Sequence, residues 1–280
     1  MKRRKFLSVC AICLLLVTCF PVMSAAAAQD TYQTIPVALE GKAIINGEAY
    51  LIDSITYVPL RKLSEAALDC DISWNDATKT ATVKYGSVTV TARVGAKYII
   101  ANGRYFFTVG KIINLNGSLY VPVRPLARAL GLEVEWNDKT RSVNLAYSGS
   151  PLISGGSFYK SDEVYWLSRI IEAEAGGEPF EGKIAVGNVV LNRVASKQYP
   201  NTIYQVIFDF KHGIQFTPAY TGTIYNTPSS ESVIAAKVCL DGYEIAPGVL
   251  FFFNPRIATS SWISKNRPYA MTIGNHDFYY

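Results

Sequence analysis

Leu167-Ser168-Arg169-Ile170-Ile171-Glu172-Ala173-Glu174-Ala175-Gly176-Gly177-Glu178-Pro179 carries the clearest pattern in the C-terminal half of this chain. Val164, Leu167, Ile170 and Ile171 recur at helical spacing, and Glu174 follows the last three by seven, four and three residues. Its carboxyl group therefore projects from the stripe that faces a core, while Glu172 points elsewhere. A carboxylate so placed is a misfit, half of a buried pair, or an acid held partly out of water at the edge of a cleft. In the last case desolvation raises its pKa and keeps a proton on it near neutrality, as a general acid at a glycosidic oxygen requires. The plainer reading is a helix-end Glu leaning into solvent. Gly176-Gly177 and Pro179 end the helix at once and leave Glu174 in its last turn, beside a loop with little side-chain bulk.

Working outward, Ser161 reads as the N-cap of this helix, with Asp162 and Glu163 in the first turn where the helix dipole favours acids. A second amphipathic helix is predicted from about Glu181 to Val194. Cys239 falls inside a helical pattern from Val233 to Leu240, so it reads as a buried thiol rather than a peptidase nucleophile paired with His276. The run Phe251-Phe252-Phe253 reads as a core strand or turn. Two His residues without His-Glu-x-x-His spacing speak against a zinc peptidase, and the expectation is no metal and no cofactor.

These residues resemble the cell wall hydrolase family typified by the spore cortex-lytic enzymes of SleB type. Its motifs are met by Glu174 to Pro179, by Gly182 to Val194 in the form Gly-x-x-Ala-Val-x-x-Val-x-Leu-Asn-Arg-Val, by Gln215-Phe216, and by Gly274-Asn275-His276-Asp277-Phe278-Tyr279. The resemblance implies a lysozyme-like, mostly α domain over 161–280 acting as a peptidoglycan lytic transglycosylase. Glu174 would protonate the leaving oxygen between N-acetylmuramic acid and N-acetylglucosamine, then draw the proton from the sugar's own 6-hydroxyl, so that a 1,6-anhydro ring forms. It also makes Asn192, Gln215, Phe216 and His276 candidates for substrate contact, beside purely structural roles for each. Trp262 and Tyr269, flanked by Ser, Lys and Arg, are candidates for a glycan-facing wall. Glu178 is the nearby second carboxylate, and as a nucleophile it would restore ordinary retaining hydrolysis; a role in the loop competes with this. Where the family usually has Arg between Ala and Gly, this chain has Gly176, a loss that could raise the acid's pKa or remove a substrate contact.

Upstream, Tyr57-Val58-Pro59-Leu60-Arg61-Lys62-Leu63 recurs as Tyr120-Val121-Pro122-Val123-Arg124-Pro125-Leu126, and Trp74-Asn75-Asp76 as Trp136-Asn137-Asp138. The pattern predicts a duplicated strand-helix-strand unit over 33–147 in an α+β, β-rich domain, with hairpins at Asn-Gly pairs 46–47, 102–103 and 116–117. One Trp at the same place in each copy reads as a core anchor, against a sugar-stacking alternative. The segment resembles the stalk module named for the N-terminal domain of copper amine oxidases. With no His before His212, copper chemistry is not expected of it; spacing, or contact with the wall or another protein, is. Ser- and Gly-rich residues 148–160 read as a linker.

At the start, Lys2, Arg3, Arg4 and Lys5 precede an apolar run from Phe6 to Phe20, closed by Ala25 to Ala28. Residues 1–28 read as a secretory signal peptide whose apolar run is shorter than a bilayer-spanning helix needs, with an uncleaved anchor as the alternative. Its removal leaves 23 Lys plus Arg against 22 Asp plus Glu. A nearly neutral protein of about 250 residues has no reason to bind nucleic acid, and no stable membrane insertion is expected of it. The expectation is a secreted protein, associated with the cell wall or spore envelope, whose partner is the peptidoglycan glycan strand. Hydrolytic muramidase or glucosaminidase action and non-catalytic wall binding are the competing readings.

Overall fold

The computed structural model describes residues 32–211 and 214–280; the leader at 1–28 and His212 lie outside the described residues. The layout has two parts, a β-rich N-terminal region and a helical C-terminal region.

In the β region, the strands Ile55–Pro59 and Ser118–Pro122 pair antiparallel with Val58 opposite Val121, at the middle of a five-stranded sheet. Each strand ends on the Pro that caps a short helix, α1 (Leu60–Ala67) and α2 (Val123–Ala129). Pro holds φ near −65° and lacks an N–H, so it closes the strand and opens the helix without an unmet donor. The apolar faces of both helices, led by Leu63 and Leu126, are fully buried. A five-stranded meander from Asp71 to Phe107 and a four-stranded sheet containing Val37–Leu39 and Ser142–Tyr147 complete the region.

Asn102-Gly103 and Asn116-Gly117 have both central residues at positive φ, the hairpin turn that matches strand twist. At 46–47 only Gly47 does, and the chain there does not form a two-residue hairpin. A turn of the same kind that the composition hid is Asp53-Ser54, at φ 50° and 65°. The expectation of a core anchor is corrected for Trp74, which is 43% exposed, while half-buried Trp136 does pack against the core. Each indole N–H donates to the carboxylate two residues on, Asp76 at 3.4 Å and Asp138 at 2.7 Å.

The C-terminal region packs α4 (Ser161–Ala175), α5 (Phe180–Ala195) and α8 (Ser230–Leu240) about one core. The intervening helices are α6 (Ile203–Ile207) and α7 (Thr217–Thr221), with α3 (Gly155–Phe158) ahead of them and α9 (Trp262–Asn266) after. Lys160 rather than Ser161 caps α4, and Ser161 is its first helical residue. A three-stranded sheet of Phe251–Phe253, His276–Tyr279 and Tyr269–Ile273 closes one end. Cys239 is buried, Cys70 is half-buried, and both are free thiols. Among the described residues no helix is long and apolar enough to cross a membrane.

Gly187 lets α5 approach α8: a methyl group there would stand 2.7 Å from Cys239 Sγ and 2.9 Å from Ile171 Cδ1. Gly187→Ala is expected to cost about 1–3 kcal/mol by overpacking, read as a lower urea midpoint at unchanged slope.

The two regions share a buried joint, and residues 32–280 form one compact unit. Arg104 of the β region makes two 2.9 Å bonds to Asp241, which follows α8; Arg128 adds one at 3.1 Å and the Tyr159 hydroxyl another at 3.1 Å. Phe107 joins the helical core, its ring 4.4 Å from that of Tyr243. In the segment between the regions, the Gly155 N–H donates to the Asn102 carbonyl at 2.7 Å.

Candidate active site

Glu174 sits in the last turn of α4, beyond the buried Leu167, Ile170 and Ile171 that seat the helix. Its side chain lines a cleft of about 1160 Å³ with walls from α5, the residues before α7, the Phe251–Phe253 strand and α9. Burial pushes the Glu174 carboxyl up to about 7, against the pull of the Arg193 cation. The acid is thus part-protonated at neutral pH.

Arg193, in the last turn of α5, is 4% exposed. Its Nε donates to the Leu250 carbonyl at 2.9 Å, and its guanidinium lies 5.0 Å from the Phe216 ring and 5.1 Å from that of Tyr199. Its buried Nη1 has no partner among the described residues. Buried His276 also lines the cleft, with Phe252 at 5.2 Å; burial lowers its pKa against the pull of the Glu178 carboxylate.

Of the residues singled out from sequence, the fold brings Glu174, Gln215, Trp262 and His276 to one cleft. Four others lie off it. Asn192 spends its amide on the Ala246 and Val249 carbonyls at 2.8 and 2.9 Å. Phe216 is 1% exposed and belongs to the core under Arg193. Tyr269 is exposed, and its hydroxyl shares a hydrogen bond with Thr272. Glu178 latches the loop: its carboxylate accepts from the Asn275 backbone N–H at 2.8 Å and the Asn275 amide at 3.0 Å. Burial works against its charge, yet these bonds, with His276 and Lys183, hold its pKa below the usual carboxylate value.

Three charged residues of the cleft, Arg193, Asp209 and Arg267, were not singled out from sequence; Arg267 lies 4.4 Å from the Phe251 ring and 5.4 Å from that of Trp262. Arg193 lay in a recognised motif, but its spacing gave no sign that it would supply the cation beside Glu174. Asp209, after α6, is a second carboxylate in the cleft and carried no motif. The Phe251–Phe253 run forms the expected strand, yet its half-buried rings line the cleft as well as the core. At Gly176, in right-handed helical conformation, a Cβ would stand 2.6 Å from the Glu172 carbonyl oxygen, so this turn is closed to a larger residue without a backbone shift.

Residues 177–279 match the family described as Cell Wall Hydrolase, and residues 38–145 the Copper amine oxidase N-terminal domain; Glu174 stands three residues before the first span. The spore cortex-lytic enzyme of Bacillus cereus is 37% identical over 120 residues, 43% of this chain and 45% of that protein. That of Oceanobacillus iheyensis is 34% identical over 130 residues, 46% of each. The chain thus spans less than half the length of these curated relatives. The solved catalytic domain of the germination-specific lytic transglycosylase SleB from Bacillus anthracis is 35% identical, covering 46% of this chain and all of that one, with a TM-score of 0.41. In sequence, then, the C-terminal region is similar to the cell wall hydrolase family and to the spore cortex-lytic enzymes, and the N-terminal region to the copper amine oxidase N-terminal domain.

Proposed function

We propose that this chain is an exported peptidoglycan-cleaving enzyme, a lytic transglycosylase in which Glu174 alone serves as acid and then as base. The observation that carries the reading is a carboxyl group with its pKa lifted to about 7 at the wall of an open cleft. Protonated Glu174 gives its proton to the oxygen joining N-acetylmuramic acid to N-acetylglucosamine as the bond from muramic C1 to that oxygen breaks. The carboxylate left behind faces the Arg193 cation. It then takes the proton of the muramic 6-hydroxyl as that oxygen closes on C1. Glu174 ends protonated, water is not consumed, and the product carries a 1,6-anhydro ring. One group acting in both directions works best with a pKa near the working pH, and here burial and Arg193 pull it oppositely toward that value.

The test is digestion of purified peptidoglycan by wild type and Glu174→Gln, with products weighed by mass spectrometry. Anhydro ends from the wild type alone are expected; no release by either protein would reject the enzyme reading and leave a wall-binding protein. Asp209 favours one second reading, in which it activates a water and the chain is a hydrolytic muramidase or glucosaminidase. Reducing ends that disappear in Asp209→Asn would establish it.

Residues 1–28 as a cleaved leader account for export to the wall or spore envelope, and the relatives' name suggests cortex or wall turnover in sporulation or germination. The N-terminal region, read as a duplicated unit, serves as a wall- or protein-contacting module, with neither nucleic acid binding nor stable membrane insertion expected of the mature protein. Trp262, 52% exposed at the cleft, supplies a ring face for a sugar. Trp262→Ala is expected to raise KM for soluble glycan fragments about 5- to 30-fold, equivalent to about 1–2 kcal/mol of binding, with a smaller change in kcat.

A further inference from the structure

The antiparallel pairing of Ile55–Pro59 with Ser118–Pro122 has a geometric result. The turn that begins one strand lies beside the helix that follows the other, and this happens at both ends of the pair. Each end forms a groove. In one, of about 570 Å³, the Asp53-Ser54 turn faces the start of α2 at Arg124, with Trp136 alongside. In the other, of about 400 Å³, Gly117 and Ser118 face the start of α1 at Arg61, with Trp74 alongside. The matching positions are 63 residues apart for the arginines and 62 for the tryptophans. Both volumes fall in the range of small-ligand sites, roughly 300–1000 Å³.

We propose that these are two equivalent saccharide-binding grooves through which the N-terminal region holds one glycan chain at two points. The proposal rests on the reading of peptidoglycan as substrate. Each indole has its N–H committed to an aspartate of its own turn, so the ring presents its apolar face, which stacks on the C–H face of a pyranose. Exposed Arg61 and Arg124 supply donors at the groove edge for hydroxyl and acyl oxygens. The Pro, Arg and Trp positions recur in both grooves, although Glu48, Lys62 and Glu65 line only the second; a recurring Trp and Arg fit a ligand whose unit also repeats, and a polymer gripped at two sites gains from effective concentration. The joint at Asp241 fixes both grooves relative to the cleft, so a strand held in them is presented to Glu174 by a compact body rather than a loose tether.

The full-length Glu174→Gln chain is mixed with insoluble peptidoglycan and the bound fraction measured against added Trp74→Ala, Trp136→Ala and both. Each single change is expected to weaken binding about 3- to 10-fold and the pair more than 30-fold, as two-point attachment is lost. Arg61→Ala with Arg124→Ala, both at exposed positions, should weaken it in the same sense and decides the matter if the double Trp variant does not fold. Binding within twofold of the parent in the double variant, or in the Arg pair if the Trp pair is unfolded, would overturn the proposal. Peptidoglycan stripped of its stem peptides must still bind; if it does not, the ligand is peptide and the saccharide assignment fails. Cleavage by the chain with Glu174 intact is scored separately, so an inactive enzyme that binds refutes the proposed function and leaves the grooves standing.

Discussion

Glu174→Gln is expected to lower glycan release by a factor of about 10² to 10⁴, the usual worth of a positioned general acid, with binding to insoluble peptidoglycan retained. Gln keeps the shape and loses the proton. In the proposed reaction the protonated form does the first step, so the rate should fall as pH rises through about 7, approaching tenfold per pH unit well above it. The same group links pH to stability, and the sign is set by a pKa raised in the fold. The native state holds the proton more tightly than the unfolded chain, so the contribution is fully present below about 4.5 and lost as pH rises through about 7. At pH 8 the buried charge costs the wild type at most about 3–4 kcal/mol, since each pH unit between about 4.5 and about 7 is worth about 1.4 kcal/mol. The variant is free of that cost. Urea unfolding should therefore find Glu174→Gln more stable than wild type at pH 8 and equal to it at pH 4. Equal stability at both would mean that Glu174 is not desolvated and does not hold a proton near neutrality.

The largest stability effect is expected at Asp241. Its side chain is 1% exposed and meets Arg104, Arg128 and the Tyr159 hydroxyl, joining the helical region to the β region and to the segment between them. Removing one partner of a buried ion pair costs about 3–5 kcal/mol, because the opposite charge stays buried without its counterion. Arg104, its side chain 13% exposed, is the charge so stranded, although its stacking 3.8 Å from the Phe158 ring persists. Asp241→Ala should unfold at markedly lower urea. Arg128→Ala, with a side chain 49% exposed, should cost far less. Similar losses from both would show that the joint does not depend on the buried pair.

Much of this molecule is readable in short stretches of sequence. The stripe of Leu167, Ile170 and Ile171 carried Glu174 to a core-facing position, and Gly176-Gly177 and Pro179 ended the helix where they stand. Two of the three Asn-Gly pairs made the hairpins they announce. The tryptophans divided: both indole N–H groups bond an aspartate two residues on, but Trp136 also packs against the core while Trp74 stays at the surface. Asn192 shows the limit of motif reasoning: it shares α5 with Arg193, yet one meets loop carbonyls and the other reaches the cleft.

Helices, caps and hairpin turns were decided within the sequence because their determinants, φ preference and side-chain period, act over one turn of chain. The cleft was decided only by tertiary structure. Glu174, Arg193, Asp209, Trp262 and His276 come from separate elements spread over about a hundred residues. The desolvation that raises the acid depends on everything packed about it, and no local pattern encodes that. The same holds for Asp241 and for the two grooves, each built from a turn in one half of the β region and a helix in the other. Burial and long-range pairing are properties of the assembled chain, and the acid's chemistry depends on them.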